Sequence, residues 1–162
     1  MSCLLGRSRA EKAASYEADP VSYTHLDVYK RQELKPENEK QLYHKNCGET
    51  VMEALKIKYE LNIDDNAIKM LAPYGFGLQR GKTCGAFASG VAAIGIMFTE
   101  DKPSTNQKMK EIVGKWVDVY IKKFGSINCD YIRPNHMDPV KGCLKVQEEA
   151  GALFEDFIKD YI

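Results

Sequence analysis

Four cysteines are the residues of this chain best suited to chemistry. Cys47, Cys84, Cys129 and Cys143 lie in different stretches of the sequence, and no two of them form a CxxC pair. The spacing therefore supports neither a zinc ribbon nor a thioredoxin-type motif. In a reducing compartment, cysteines are more often catalytic, redox-sensing or metal-binding than bridged in structural disulfides. The alternative for each of them is a small buried hydrophobic residue.

The stretch that leads into Cys84 favours a reactive thiol. It begins at Pro73 and reads PYGFGLQRGKTCGAFASG, with glycines that allow positive φ and a close approach of other backbone. Thr83 can cap a helix, so that Cys84 falls in its first turn, where the positive end of the helix dipole lowers the pKa of a thiol. The order GxxxxGKS/T of a phosphate-binding loop is absent. We expect four glycines to lie against a bound cofactor: Gly75, Gly77, Gly81 and Gly85.

Hydrophobic periodicity predicts an all-α fold, a compact single domain of about five helices. The helices are predicted over about 36–60, 65–71, 84–98, 105–123 and 140–161. The third is rich in small residues and apolar on nearly all sides, as is typical of a central buried helix. Within it, Gly90 and Gly95 indicate a close approach of backbone or cofactor, or tight helix packing alone.

Local signals set the expected ends of these elements. Asp64 or Asp65 is expected to cap the second helix, Ser104 or Thr105 the fourth, and Gly125 ends the fourth. Cys129 is then expected in a loop or short turn, followed by an irregular segment over residues 131–139. Two histidines near the cysteines could ligate a metal, although a solvated position is expected for both: His44, one helical turn before Cys47, and His136, in the irregular segment.

The balanced charge narrows the classes of partner. The chain has 23 basic and 23 acidic residues, whereas nucleic acids and anionic membranes select a basic excess. The longest apolar stretch, residues 85–98, is shorter than the roughly 20 residues of a membrane-spanning helix. No signal peptide is evident. We therefore expect a cytoplasmic protein that neither binds nucleic acid nor inserts into a membrane.

Residues 1–32 are predicted to be foreign to the domain. The joined transposase mosaic end, CTGTCTCTTATACACATCT followed by AGATGTGTATAAGAGACAG, encodes Val21 to Gln32 in one reading frame without a mismatch. We therefore interpret residues 20–32 as a translated sequencing adapter, expect residues 1–32 to be a disordered lead segment, and set Cys3 aside. The four-cysteine helical domain is predicted over residues 33–162.

The four cysteines and their glycine-rich surroundings together match a family pattern. The segments concerned are Asn46-Cys47, Gly75-Phe-Gly with Gly81, Thr83-Cys84-Gly-Ala, Phe124-Gly-Ser-Ile-Asn-Cys129 and Gly142-Cys143. Over about residues 42–158 the chain resembles the C_GCAxxG_C_C family of redox-active proteins, with all four cysteines in order. Ser89 stands where the pattern has a glycine, and Gly90 follows. The resemblance implies a compact helical fold and a four-cysteine redox or iron–sulfur site.

Three functions are compatible with these features. The first is a thiol oxidoreductase, in which Cys84 is the nucleophile and Cys47, Cys129 or Cys143 is its resolving partner. In the second, the same four thiolates ligate an iron–sulfur cluster or another metal, because soft sulfur selects such groups. The third is a helical packing or interaction module without catalysis. The first two need a redox partner that the sequence does not identify, and each is compatible with an oligomer.

Overall fold

The computed structural model describes residues 44–102 and 105–162. These residues contain six α-helices and no β-strand. The helices are α1 (Cys47–Lys58), α2 (Asp65–Lys69), α3 (Gly85–Phe98), α4 (Gln107–Phe124), α5 (Cys129–His136) and α6 (Leu144–Ile158). The all-α prediction is confirmed. Five helices is one too few, because α5 lies where the sequence predicts irregular structure. The lead segment 1–32 and the predicted helix start at residue 36 lie outside the described residues.

Helix α1 begins at Cys47 because Asn46 caps it. The Asn46 side-chain oxygen accepts the backbone N–H groups of Gly48 and Glu49 at 2.8 and 3.2 Å, and the Glu49 carboxylate accepts the Asn46 N–H at 3.1 Å. This capping box satisfies donors that a helix start leaves unpaired. A continuous helix through residues 44–46 is therefore wrong. His44 is exposed, as predicted, but lies in the non-helical segment before the cap.

Three other helix boundaries test the local signals. Asp64 caps α2 by accepting a backbone N–H at 2.9 Å, and Gly125 ends α4 with a φ of 78°, both as predicted. The cap of α4 is Asn106 instead of Ser104 or Thr105. Thr105 belongs to the preceding turn, where its hydroxyl donates to the Lys102 backbone carbonyl at 2.9 Å.

The segment predicted to be irregular forms helix α5 instead. Pro134 removes one N–H from this helix of eight residues, but its first turn is anchored where the Cys129 N–H donates to the Lys82 carbonyl at 2.8 Å. His136, predicted to be solvated, is half-buried, and its Nε2 lies 3.0 Å from the Phe124 carbonyl oxygen. The end of α5 is thereby fastened to the end of α4.

Helix α6 begins at Leu144 and not near Val140 as predicted. The Asp138 carboxylate accepts the N–H groups of Val140 and Lys141 at 2.8 and 2.7 Å, and Asp138 pairs with Gly142 as an isolated bridge. Gly142 has a φ of 61°, which favours glycine. This turn takes up the residues that the sequence pattern assigns to a first helical turn.

Helix α3 is central, as predicted, and packs against α1, α4 and α6. At Gly90 an added Cβ would lie 2.7 Å from the Trp116 indole, so an aromatic side chain makes the close approach. Around Gly95 there is open space, so a close approach of backbone or tight helix packing at that position is wrong, while an approach of a cofactor there stays a prediction. Ser89 is fully buried, with its hydroxyl oxygen 2.7 Å from the Gly48 carbonyl oxygen, which ties α3 to the start of α1.

Candidate functional site

The four cysteines of the described domain all lie at the starts of helices. Cys47 and Cys129 are the first residues of α1 and α5, while Cys84 and Cys143 are the N-caps of α3 and α6. The predicted first-turn position of Cys84, with Thr83 as cap, is wrong by one residue, and the predicted loop position of Cys129 is a helix start. Each thiol is therefore near the positive end of a helix dipole, which favours the thiolate.

A short pairing between two loops brings Cys84 and Cys129 together. The Cys84 N–H donates to the Ile127 carbonyl and the Cys129 N–H donates to the Lys82 carbonyl, both at 2.8 Å. These two bonds hold the starts of α3 and α5 side by side. Cysteines that are far apart in the sequence thus share one end of the bundle.

Gly85 allows the start of α1 to rest on the start of α3. A Cβ added at Gly85 would lie 2.8 Å from both the Cys47 sulfur and the Gly48 nitrogen, closer than real Cβ contacts occur. Because glycine has no side chain, Cys47 can approach Cys84, and the two thiols shift each other's pKa. All four cysteines are free thiols.

Cys84 is the sulfur that this arrangement holds as a thiolate. The hydrogen bond from the Cys47 thiol lowers the pKa of Cys84 to about 6, against the opposing effect of burial. The Tyr120 hydroxyl, 3.5 Å from the Cys84 sulfur, lowers the pKa further, as do the backbone N–H groups of Ala86 and Phe87 in the first turn of α3. Near neutral pH the negative charge of the site therefore rests on Cys84.

The other three thiols are held in the protonated form. The pKa of Cys47 is raised, first by its hydrogen bond to Cys84 and then by burial. Burial and the charge of Cys84 raise the pKa of Cys129 to about 11. Burial also raises the pKa of Cys143, against the lowering effect of the nearby Arg133 guanidinium. The site thus contains one thiolate and three thiols.

The glycine-rich loop packs closely against this end of the bundle. Gly77 and Gly81 have φ values of 60° and 71°, and added Cβ atoms would lie 2.6 Å from the Cβ of Cys129 and 2.8 Å from that of Asp130. An added Cβ at Gly75 would lie 3.3 Å from the Asn46 side-chain nitrogen. The groups that approach these glycines in the described part of the chain are protein atoms. Cofactor binding by Gly75, Gly77, Gly81 and Gly85 stays a prediction.

An open cleft of about 450 Å³ lies beside the helix starts. Three of the four cysteines line it, whereas Cys84 is only 4% exposed and does not line it. The remaining lining residues include no aspartate or glutamate: His44, Lys45, Asn46, Thr50, Phe76, Arg133, Val140, Lys141, Gly142, Leu144 and Gln147. No local sequence motif marks Arg133, Phe76 or Tyr120 as part of the site, because each comes near the cysteines only through the fold.

The donor set for a metal is chemically suitable but not assembled. Within residues 44–102 and 105–162, no three His, Cys, Asp or Glu side chains are arranged to hold a metal ion. The Cys84 sulfur is engaged by the Cys47 thiol and the Tyr120 hydroxyl. A group bound by all four sulfurs would require Cys84 to give up these partners and turn towards the cleft.

Comparison with known proteins gives one match. Residues 45–157 match the model of a family described as "Putative redox-active protein (C_GCAxxG_C_C)". No curated protein and no solved structure matches the chain. Among the described residues, no helix has the length and apolar character needed to cross a membrane.

Proposed function

The chain belongs to the C_GCAxxG_C_C family of redox-active proteins, and on that premise we propose that it is a thiol oxidoreductase whose redox pair is Cys47 and Cys84. The proposal is carried by the geometry at Gly85: the Cys47 sulfur lies against Gly85, the residue directly after Cys84, and the two thiols shift each other's pKa in opposite directions. Neighbouring thiols of this kind can join as a disulfide. A dithiol that must be reduced before it reacts suits the reducing cytoplasm.

The positions of the two sulfurs give each a different role. Cys47 lines the cleft and is the sulfur that a substrate meets first, whereas Cys84 is buried and does not line it. Cys84 accepts the Cys47 proton along their hydrogen bond, and the Cys47 thiolate attacks one sulfur of a substrate disulfide. In this scheme Cys84 is the base and the resolving thiolate, where the sequence alone suggests that it attacks the substrate.

The exchange balances in atoms, charge and electrons. Attack by Cys47 forms a mixed disulfide and breaks the substrate S–S bond, and the departing thiolate takes the proton from Cys84. The Cys84 thiolate then attacks the Cys47 sulfur, forming the Cys47–Cys84 disulfide and releasing the second half of the substrate as a thiolate. Two electrons pass from the protein to the substrate, and one negative charge is present before and after the reaction.

Disulfide mapping tests the proposed pair. Reduced protein is treated with a stoichiometric disulfide oxidant, remaining thiols are alkylated, and the bridged peptides are identified by mass spectrometry. We expect Cys47–Cys84 to be the first bridge formed, and Cys47→Ser or Cys84→Ser to abolish it. Cys143→Ser is the matched control, because Cys143 lies at a helix start and lines the same cleft as Cys47 but is not part of the proposed pair. A first bridge between other cysteines would contradict the proposal.

One observation favours a second candidate, a cysteine-ligated iron–sulfur or other metal site. Four helix starts, each with a cysteine, lie at one end of the bundle, and three of these cysteines line one cleft. The backbone N–H groups of the helix starts would favour an anionic thiolate-bound group. Such a group would supply electron transfer in place of disulfide exchange. Stoichiometric iron and acid-labile sulfide in protein purified without oxygen, lost in each Cys→Ala variant, would support it over the dithiol.

A further inference from the structure

The cleft in front of Cys47 is a positively charged site. Among the described residues, its lining includes two lysines and an arginine and no aspartate or glutamate. Lys45 is neutralised by an ion pair with Glu53, whereas Arg133 has no ion pair with a described carboxylate. The cations left for a ligand are therefore Lys141, on the turn before α6, and Arg133, which lies beside Cys129 and Cys143.

The glycine-rich loop holds an aromatic ring against Arg133. The guanidinium lies over the Phe76 ring, 4.8 Å from its centroid. Phe76, Leu78 and Gln79 have φ values of 53°, 57° and 58°, a backbone conformation that is unfavourable for residues with side chains. Strain of this kind is concentrated at ligand-binding sites. Phe76 is 50% exposed and lines the cleft next to the arginine.

A second polar group of the cleft also lacks a partner. The Gln147 side-chain oxygen is buried and accepts no hydrogen bond from the described residues. Buried polar atoms in folded proteins are nearly always satisfied by protein, water or a ligand. The cleft therefore offers a cation for an acidic group and, at Gln147, an acceptor for an N–H group.

We propose that this cleft binds a small anionic disulfide, with its carboxylate held by Arg133 and its S–S bond presented to Cys47. The inference rests on the proposed thiol oxidoreductase function and specifies its substrate class. A volume of about 450 Å³ suits a low-molecular-weight ligand instead of a protein segment. Arginine is the cation of choice for this role because its planar fork can donate two hydrogen bonds to one carboxylate.

Two disulfide reagents of opposite character test the proposal. Dithiobis(nitrobenzoate) is a dianionic aromatic disulfide, and 2,2′-dithiodipyridine is its uncharged counterpart. The full-length chain is used with Cys3→Ser, Cys129→Ser and Cys143→Ser, so that only the Cys47–Cys84 pair reacts. This background also removes any effect that Arg133 exerts through the other two thiols of the cleft. The measured quantities are single-turnover oxidation rate constants as a function of reagent concentration.

In this background Arg133→Gln is compared with Lys122→Gln, an exposed cation of α4 that does not line the cleft. We expect Arg133→Gln to slow the dianionic reagent on the order of tenfold or more, as for the loss of a charge-assisted hydrogen bond. The uncharged reagent should change by less than about twofold, which is the scatter typical of surface substitutions. Lys122→Gln should leave both rates unchanged.

The outcomes separate the substrate class from the underlying chemistry. Anion recognition would be overturned, with the dithiol left intact, by either of two results. In one, Arg133→Gln oxidises at the parent's rate with each reagent; in the other, it slows by the same factor with both reagents. Oxidation of the pair by neither reagent would overturn the proposed function as well, and the substrate assignment with it. Selective loss with the dianionic reagent supports both.

Discussion

Replacing Tyr120 by phenylalanine should raise the pKa of Cys84 by removing one hydrogen-bond donor. The Tyr120 hydroxyl lies 3.5 Å from the Cys84 sulfur, and both groups are buried. A hydrogen bond to a charged group contributes about 1.5–3 kcal/mol, and one pKa unit corresponds to about 1.4 kcal/mol. Because sulfur is a weak acceptor, we take the lower end, which moves the pKa of Cys84 from about 6 to about 7.

The substitution is specific because the aromatic ring remains. Tyr120 packs its ring against Phe87, Trp116 and Phe124, with centroids 4.6–5.3 Å apart, and phenylalanine retains these contacts. The loss of thiolate stabilisation should also lower the reduction potential of the Cys47–Cys84 disulfide, by up to about 30 mV at neutral or higher pH.

The assay is a pH titration of thiolate absorbance in the far ultraviolet on reduced protein, with Cys84→Ser as the blank. Tyr59→Phe serves as the matched control, since Tyr59 packs edge-on against Phe154 and its pKa is set by burial, Glu155 and Asp156 and by no cysteine. An unchanged pKa of Cys84 in Tyr120→Phe would refute the assignment of this hydroxyl as a thiolate donor. An equal shift in the control would indicate a general loosening of the core.

Two further predictions concern stability. The free energy of unfolding should rise between about pH 6 and pH 9, because the pKa of Cys84 is lowered from 9.0 to about 6 on folding. It should fall above pH 9, because folding raises the pKa of Cys47. Urea denaturation across this range checks the slope, and a flat profile would contradict the thiolate. Gly90→Ala should destabilise by about 1–3 kcal/mol through overlap with the Trp116 indole, whereas Gly95→Ala on the same helix should stabilise by up to about 1 kcal/mol. Thermal unfolding of the pair measures both, and similar effects at the two sites would contradict the packing described.

Several features of the fold follow from short stretches of sequence. The apolar character of residues 85–98 predicts a central helix, which the packing confirms. The cap at Asp64 and the helix end at Gly125 are also confirmed, because both signals act within one helical turn. The start of α1 is also encoded locally, because Asn46 and Glu49 have the spacing of a capping box. The apolar periodicity extends across this point and therefore predicts a longer helix. Helix α5 escaped prediction because Pro134 argues against a helix, and its anchor is a bond to the distant Lys82.

The sequence by itself determined that the predicted domain contains four of the five cysteines and a glycine-rich loop, and that it folds as helices. Only the tertiary structure decided which thiol carries the charge. The pKa of Cys84 depends on Cys47, which comes close only because Gly85 has no side chain, and on Tyr120, which is far away along the chain. The positive cleft at Arg133 arises in the same way. Helix signals act over a few residues, whereas burial, hydrogen bonding and charge act between groups that only folding brings together.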